Sequence, residues 1–330
     1  MAKTTYDESK IQTLSALEHI RKRPGMYIGR LGNGTHVDDG IYILLKEVVD
    51  NSIDEFIMGY GSKILIRLKE SEIRVRDYGR GIPLGNVVDC VSIINTGAKY
   101  SDDVFQFSVG LNGVGTKAVN ALSSHFSVTS YREAKFSKAT FSQGVLVNEE
   151  IGKTGETDGT EVTFIPDPEL FGDYHYNEDF ILSRIWSYAY LNTGLSLDYN
   201  NKIYRSAHGL LDLLDKEVGT ENLYSIIHYQ GKQLEFALTH VGGSYGENYF
   251  SYVNGQHTTD GGTQSAFKEG ILKAINEHFK KNWAPQDARE GVVGAIAVKV
   301  KDPVFESQTK NKLSNTEIRT WIVNEVKDAI

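Results

Sequence analysis

One cysteine, Cys90, stands among 330 residues. That excludes a disulfide framework and a cysteine-built metal site, and it suits a reducing compartment. Long apolar runs are also missing. No stretch approaches the roughly 18 residues of a membrane-spanning helix, so no membrane association is expected. The opening segment MAKTTYDESK has no apolar core, which argues against a secretory leader and for a cytoplasmic protein. There is no internal repeat and no low-complexity tract. Positive charge is in deficit: 35 Lys and Arg face 43 Asp and Glu, for a net charge of −8. A free-standing nucleic-acid binder usually shows a basic face. The one basic cluster here, Arg21-Lys22-Arg23, is short. If DNA is engaged, other domains or subunits must do most of the binding.

What is present describes an ordinary globular chain. Apolar residues make up 40% and charged residues 24%, enough for a full core, and the length suggests two domains. The most informative stretch is Gly110-Leu111-Asn112-Gly113-Val114-Gly115-Thr116-Lys117, which runs into the helix-like Ala118-Val119-Asn120-Ala121-Leu122. Glycines let backbone N–H groups crowd together, and a helix start adds partial positive charge, a combination that cradles phosphates. It is not a Walker A loop, because Thr116 and Lys117 come in the wrong order. A tight packing turn is the competing reading.

Two earlier segments bear on that choice. In Ile41 to Phe56, the residues Ile41, Leu44, Leu45, Val48, Val49, Ser52, Ile53 and Phe56 fall at helical spacing and define a buried face. Glu47, Asn51 and Asp54 form a polar stripe on the same helix, with Asp50 beside it. A solvated face is the plain alternative, and Asp54 is expected to be a solvated acid. A Glu one turn from an Asn also suits a metal–nucleotide site: the carboxylate can take a proton from water, and the amide oxygen can ligate Mg²⁺. In Glu72 to Pro83, Ile73, Val75 and Asp77 alternate, so Asp77 points to the apolar side of a strand. A carboxylate there needs donors. Adenine's amino group could supply one, and a salt bridge to Arg76 or Arg80 is the alternative.

The segments Glu47-Val48-Val49-Asp50-Asn51, Asp77-Tyr78-Gly79-Arg80-Gly81-Ile82-Pro83 and Gly110 to Gly115 resemble, in order and spacing, the three ATP-site motifs of the GHKL superfamily. Arg21 to Gly29 (RKRPGMYIG), Thr258 to Thr263 and Gln308-Thr309-Lys310 are similar to motifs of the B subunit of bacterial type IIA topoisomerases, gyrase or topoisomerase IV. The resemblance implies an α+β fold: a Bergerat-type ATPase α/β sandwich over 1–217, with an N-terminal dimerisation arm over 1–20, then a ribosomal-S5-like transducer over 218–330 that is C-terminally truncated. It implies ATP and Mg²⁺ as cofactors. Glu47 would be the general base and Asn51 the Mg²⁺ ligand. Asp77 would accept from adenine, with Thr160 completing a water-linked network. Gly79, Arg80, Gly81, Ile82 and Pro83 would shape the adenine pocket, with Gly81 allowing close approach of the base and Arg132 at the pocket mouth. Lys99 and the loop Gly110, Leu111, Asn112, Gly113, Val114 and Gly115 would hold the phosphates. Gln308 and Lys310 would reach the γ-phosphate, and Tyr6 would belong to the exchanged arm.

Three departures from the family pattern stand out: Phe105 where relatives usually have tyrosine, Asn112 where many have histidine, and Tyr78 in place of the usual acid. The implied partners are a second copy of the chain, an A subunit carrying the DNA-cleaving tyrosine, and double-stranded DNA in the full complex. No Glu-Gly-Asp segment with clustered acids for DNA cleavage is found, so an ATPase fragment of the B subunit is expected. Another GHKL ATPase, a chaperone or mismatch-repair clamp, is the alternative, and a histidine-type kinase is a third reading.

Overall fold

The structure, a computed structural model, describes residues 11, 13–97, 113–243, 246–259, 261–306 and 310–330. Six expected site residues, Tyr6, Lys99, Gly110, Leu111, Asn112 and Gln308, lie outside them, as does Phe105. The described part is α+β, with two mixed sheets. It divides into two compact units. The first holds described residues up to Val49, then Arg67–Gly97 and the chain from Gly113 to Tyr176; the second holds Asp50–Ile66 and Asn177–Ile330.

In the first unit, α1 (Ala16–Lys22) starts at Ser15 with a capping box, the Ser15 and Glu18 side chains each accepting from the other's backbone N–H. Ile11, which extends the apolar spacing of Leu14, Leu17 and Ile20 toward the N-terminus, lies 65% exposed outside the helix. Arg21 is committed to structure: it donates to Asp167 at 2.7 Å and to the Ala121 carbonyl at 2.8 Å. The short α2 (Gly25–Ile28) follows. α3 (Gly40–Ile57) then buries Ile41, Leu44, Leu45, Val48, Val49 and Ile53, the face its spacing predicts. Asp54, expected to be solvated, is instead 1% exposed, and Asp50 is wholly buried. The polar stripe therefore sinks into the protein at its C-terminal end.

The larger sheet has the order β5-β4-β3-β6-β2-β1-β7-β8. Its strands are β1 (Lys63–Lys69), β2 (Glu72–Asp77), β3 (Ser123–Arg132), β4 (Lys135–Ser142), β5 (Val145–Lys153), β6 (Gly159–Pro166), β7 (Ser196–Tyr199) and β8 (Lys202–Tyr204). Two-residue turns with both residues at positive φ join β3 to β4 at Glu133-Ala134, β4 to β5 at Gln143-Gly144, and β7 to β8 at Asn200-Asn201. Positive φ at both positions matches the right-handed twist of the paired strands. Among the described residues between β2 and β3 lie a 3₁₀ turn (Leu84–Asn86), α4 (Val87–Ser92) and α5 (Gly115–Ala121). α6 (Pro168–Phe171) follows β6.

The second unit is built on a five-stranded sheet of order β12-β11-β13-β10-β9. Its strands are β9 (Ile227–Gln230), β10 (Leu234–His240), β11 (Asn248–Val253), β12 (Gln256–His257) and β13 (Val292–Val298). α9 (Gly262–Phe279) and α10 (Pro285–Arg289) carry the chain between β11 and β13, which pair in parallel as the strand–helix–strand order predicts. On one face, α9 and α11 (Ile318–Ala329) bury Phe267, Ile271, Ile322 and Val326 against Phe236 and Ile296. Gly270 is needed there, because a Cβ would stand 2.8 Å from the Val326 side chain. On the other face, α7 (Glu178–Leu191) and α8 (Leu210–Val218) pack Tyr190, Leu210 and Leu214 on Ala237, Tyr252 and Ala295. Each large side chain so buried contributes roughly 1.5–3 kcal/mol.

Candidate nucleotide site

The expected site residues within the first unit fall into two groups. The first forms where α3 meets α5. Glu47 is half-buried, and its carboxylate rests on the α-carbon of Gly115. A Cβ at Gly115 would stand 2.7 Å from the Glu47 carboxyl carbon and nearer still to Oε2, so only glycine leaves this carboxylate its place. Gly113, at φ +61°, and Val114 lead into the contact. Beside it, the buried Lys117 donates from Nζ to the Thr96 carbonyl at 2.7 Å and so pins the far side of α5 to the segment after α4. Asn51, one turn beyond Glu47 on α3, already belongs to the second unit and is partly exposed.

The second group gathers at the ends of β2, β3 and β6. Asp77 closes β2 and is 6% exposed. Its Oδ1 accepts from the backbone N–H of Gly79 at 2.9 Å and from that of Thr160 at 3.1 Å. Two main-chain donors thus hold the carboxylate, and Thr160 contributes through its amide. Gly81, at φ +72°, is forced by β3: a Cβ there would lie 2.6 Å from the Tyr131 carbonyl and 3.0 Å from Arg132 Cγ. The same strand fixes Ile82, whose carbonyl accepts from the Ser130 hydroxyl at 2.6 Å. Pro83 then opens the 3₁₀ turn Leu84–Asn86. Arg80 is half-buried in the same loop.

Arg76 is a structural keystone that the sequence did not reveal. It donates to the carbonyls of Asp77 and of Thr157, the latter at 2.6 Å, and its guanidinium lies 4.4 Å from the Tyr131 ring centre and 4.8 Å from that of Tyr78. Tyr78, which replaces the family's usual acid, thereby becomes one side of a tyrosine–arginine–tyrosine stack. Burial, with Glu161 close by, pushes the Tyr131 phenol upward. Alternation along β2 predicts Arg76 on the solvent side; Tyr131 and Tyr78 cover it instead.

Lys310 belongs to the second unit. It is 3% exposed and holds a left-handed φ of +58°, unlike an exposed loop lysine. Among the described residues no cluster of three or more acidic, His or Cys groups could form a protein cage for a metal.

Two family models match the chain. "Histidine kinase-, DNA gyrase B-, and HSP90-like ATPase" covers residues 36–170, and "DNA gyrase B" covers 209–330. The B subunit of DNA topoisomerase 4 from Borreliella burgdorferi is 58% identical over 332 residues, spanning 100% of this chain and 55% of that protein. The chain belongs to the B subunits of type IIA DNA topoisomerases, of which it is the ATPase portion. The B subunit of DNA gyrase from Clostridium acetobutylicum is 37% identical over 362 residues, 98% of this chain and 55% of that protein. The chain thus spans about half the length of the curated relatives it matches. Among solved structures, the 43K ATPase domain of Thermus thermophilus gyrase B superposes with a TM-score of 0.74 at 29% identity, covering 96% of this chain and 88% of that one. The expected fold, a GHKL ATPase domain followed by a gyrase-B transducer, is therefore the observed one. No helix among the described residues is long and apolar enough to cross a membrane.

Proposed function

We infer that the chain is a cytoplasmic ATP-operated clamp: it binds ATP with Mg²⁺, closes on a second copy, and hydrolyses the nucleotide to open. The observation that carries this reading is the meeting of Glu47 with Gly115, one helical turn from Asn51. In that place Glu47 is the general base that orients and deprotonates the attacking water. Asn51 would hold Mg²⁺, which would neutralise phosphate charge. Asp77, oriented by two main-chain amides, accepts from the adenine amino group. The glycine loop and Lys99 hold the phosphates. Gln308 and Lys310 sense the γ-phosphate from the transducer, and the arm carrying Tyr6 wraps the partner copy. Catalysis is mostly positioning and charge stabilisation. In the whole protein, an A subunit and double-stranded DNA complete the machine, and ATP drives its DNA entry gate.

The test combines chemistry with mass. Incubation with γ-labelled ATP should release free phosphate; label retained on the protein would mark a kinase instead. A non-hydrolysable ATP analogue with Mg²⁺ should shift sedimentation from monomer toward dimer at tens of micromolar protein. Deletion of residues 1–15, or Lys310→Ala, should weaken that shift. If analogue, deletion and substitution all leave the mass unchanged, the clamp reading is wrong.

A further inference from the structure

Asp50 is a buried acid with no part in the proposed chemistry. Asp50 lies on α3 between Val49 and Asn51 and is wholly buried. Its Oδ1 accepts from the Tyr188 hydroxyl of α7 at 2.6 Å, and its Oδ2 accepts from Gln256 Nε2 of β12 at 3.1 Å. Tyr188 is 5% exposed and Gln256 3%. All three residues belong to the second unit. A carboxylate taken fully out of water is held only at the cost of satisfying it, so each donor is energetically committed. β12 is the short return strand of the β11–β12 hairpin, paired through Tyr252↔His257 and Val253↔Gln256. The carboxamide of Gln256 therefore projects from a braced strand onto α3.

We propose that Asp50, Tyr188 and Gln256 form a positioning node that sets the placement of α3, and through it the placement of Glu47 and Asn51. An α-helix is stiff along its axis, and Glu47, Asp50 and Asn51 share one helical turn, so a displacement of Asp50 is handed on to both neighbours. Misplacing a base by about 1 Å can cost about a hundredfold in rate. The node acts on the helix that carries the base, and none of its three residues is assigned a contact with the nucleotide. The inference rests on the ATPase reading for its kinetic consequence and on geometry alone for its structural one.

The experiment has one arm for each. Gln256→Leu and Tyr188→Phe each remove one donor at nearly constant shape. Amide hydrogen exchange without nucleotide should quicken along α3 in both variants. Steady-state hydrolysis should show kcat lowered about tenfold with KM for ATP within about twofold, because the Asp77 contacts are untouched. In an Asp50→Asn background, Gln256→Glu should recover at least half of the lost kcat, since an Asn Nδ2 can donate to the Glu carboxylate while its Oδ1 still accepts from Tyr188. Unchanged exchange on α3 overturns the node. So does kcat within about twofold of the parent in both single variants, or a double variant no better than Asp50→Asn alone. A parent chain that releases no phosphate sinks the ATPase reading instead, and the exchange arm still decides whether the node exists.

Discussion

Gly115→Ala should separate stability from activity. The new Cβ would stand 2.7 Å from the Glu47 carboxyl carbon and closer to Oε2, where ordinary contact begins near 3.4 Å. The three atoms nearest to it all belong to Glu47, with Cγ at 3.1 Å the farthest of them. The intruded group is the far end of a flexible side chain, so the clash is relieved by swinging the carboxylate away by about 1 Å rather than by moving backbone. The fold should hardly notice. Gly115 is the first residue of α5, and alanine is favoured over glycine in helices by up to about 1 kcal/mol. The base should notice strongly, since a displacement of about 1 Å costs about a hundredfold, or ~2.7 kcal/mol of transition-state stabilisation. The expected result is an unchanged or slightly raised Tm, ATP affinity within a few-fold by calorimetry, and kcat reduced about a hundredfold in a phosphate-release assay. Glu47→Gln is the reference: it should bind ATP and not turn it over. If Gly115→Ala keeps more than about a tenth of parental kcat while Glu47→Gln is inactive, the contact does not position the base. If Glu47→Gln itself keeps that much, Glu47 is not the base.

Three further outcomes are expected. Asp77→Asn should weaken ATP binding by about 1.5–3 kcal/mol, the worth of a hydrogen bond to a charged acceptor, and the parent should prefer ATP to GTP; equal calorimetric affinities for the two nucleotides would refute the adenine assignment. Gly34→Ala should lower stability by at least about 2 kcal/mol, because Gly34 sits at φ +97° with a Cβ position 2.9 Å from the His175 carbonyl carbon. Gly59→Ala, at φ +86° with open space around it, should show only the backbone cost of about 1 kcal/mol, so equal urea midpoints for the two variants would contradict the steric argument. Burial pushes Tyr199, Tyr224 and Tyr252 up to about 12 each. The folded chain then holds protons that the unfolded chain gives up near pH 10, so stability should be intact below pH 10 and fall between pH 10 and 12; urea midpoints flat across that range would refute it.

Much of the fold was legible because its elements obey strong periodicities. α3, α7, α9, β10, β11 and β13 each carry an apolar pattern long enough to declare its type, and the β1–β2 hairpin turns at Glu70, at φ +55°, as its alternation predicts. β5 leaves no pattern in the sequence because all of it but Gly152 is exposed, with Val145, Val147 and Ile151 exposed on this edge strand, so no buried face imprints an alternation. β7, β8, β9 and β12 are four residues or shorter, too brief for a period to emerge.

By itself the sequence determined the kind of chemistry. The carboxylate, the amide, the aspartate and the glycine loop stand in an order and spacing whose chemical logic is local and linear, and those residues identify the family. Only the tertiary structure decided which polar groups meet which. Asp54 and Asp50 belong to a helix face that looks solvated in one dimension, yet both are buried, Asp50 beneath Tyr188 and Gln256 of its own unit. Arg76 alternates toward solvent but is covered by Tyr131, 55 positions away, and by its near neighbour Tyr78. Glu47 finds its seat on Gly115, and Asp50 finds Gln256 at a sequence separation of 206. Burial and partnership are properties of packed surfaces, and a linear pattern carries no record of the surface that will cover it.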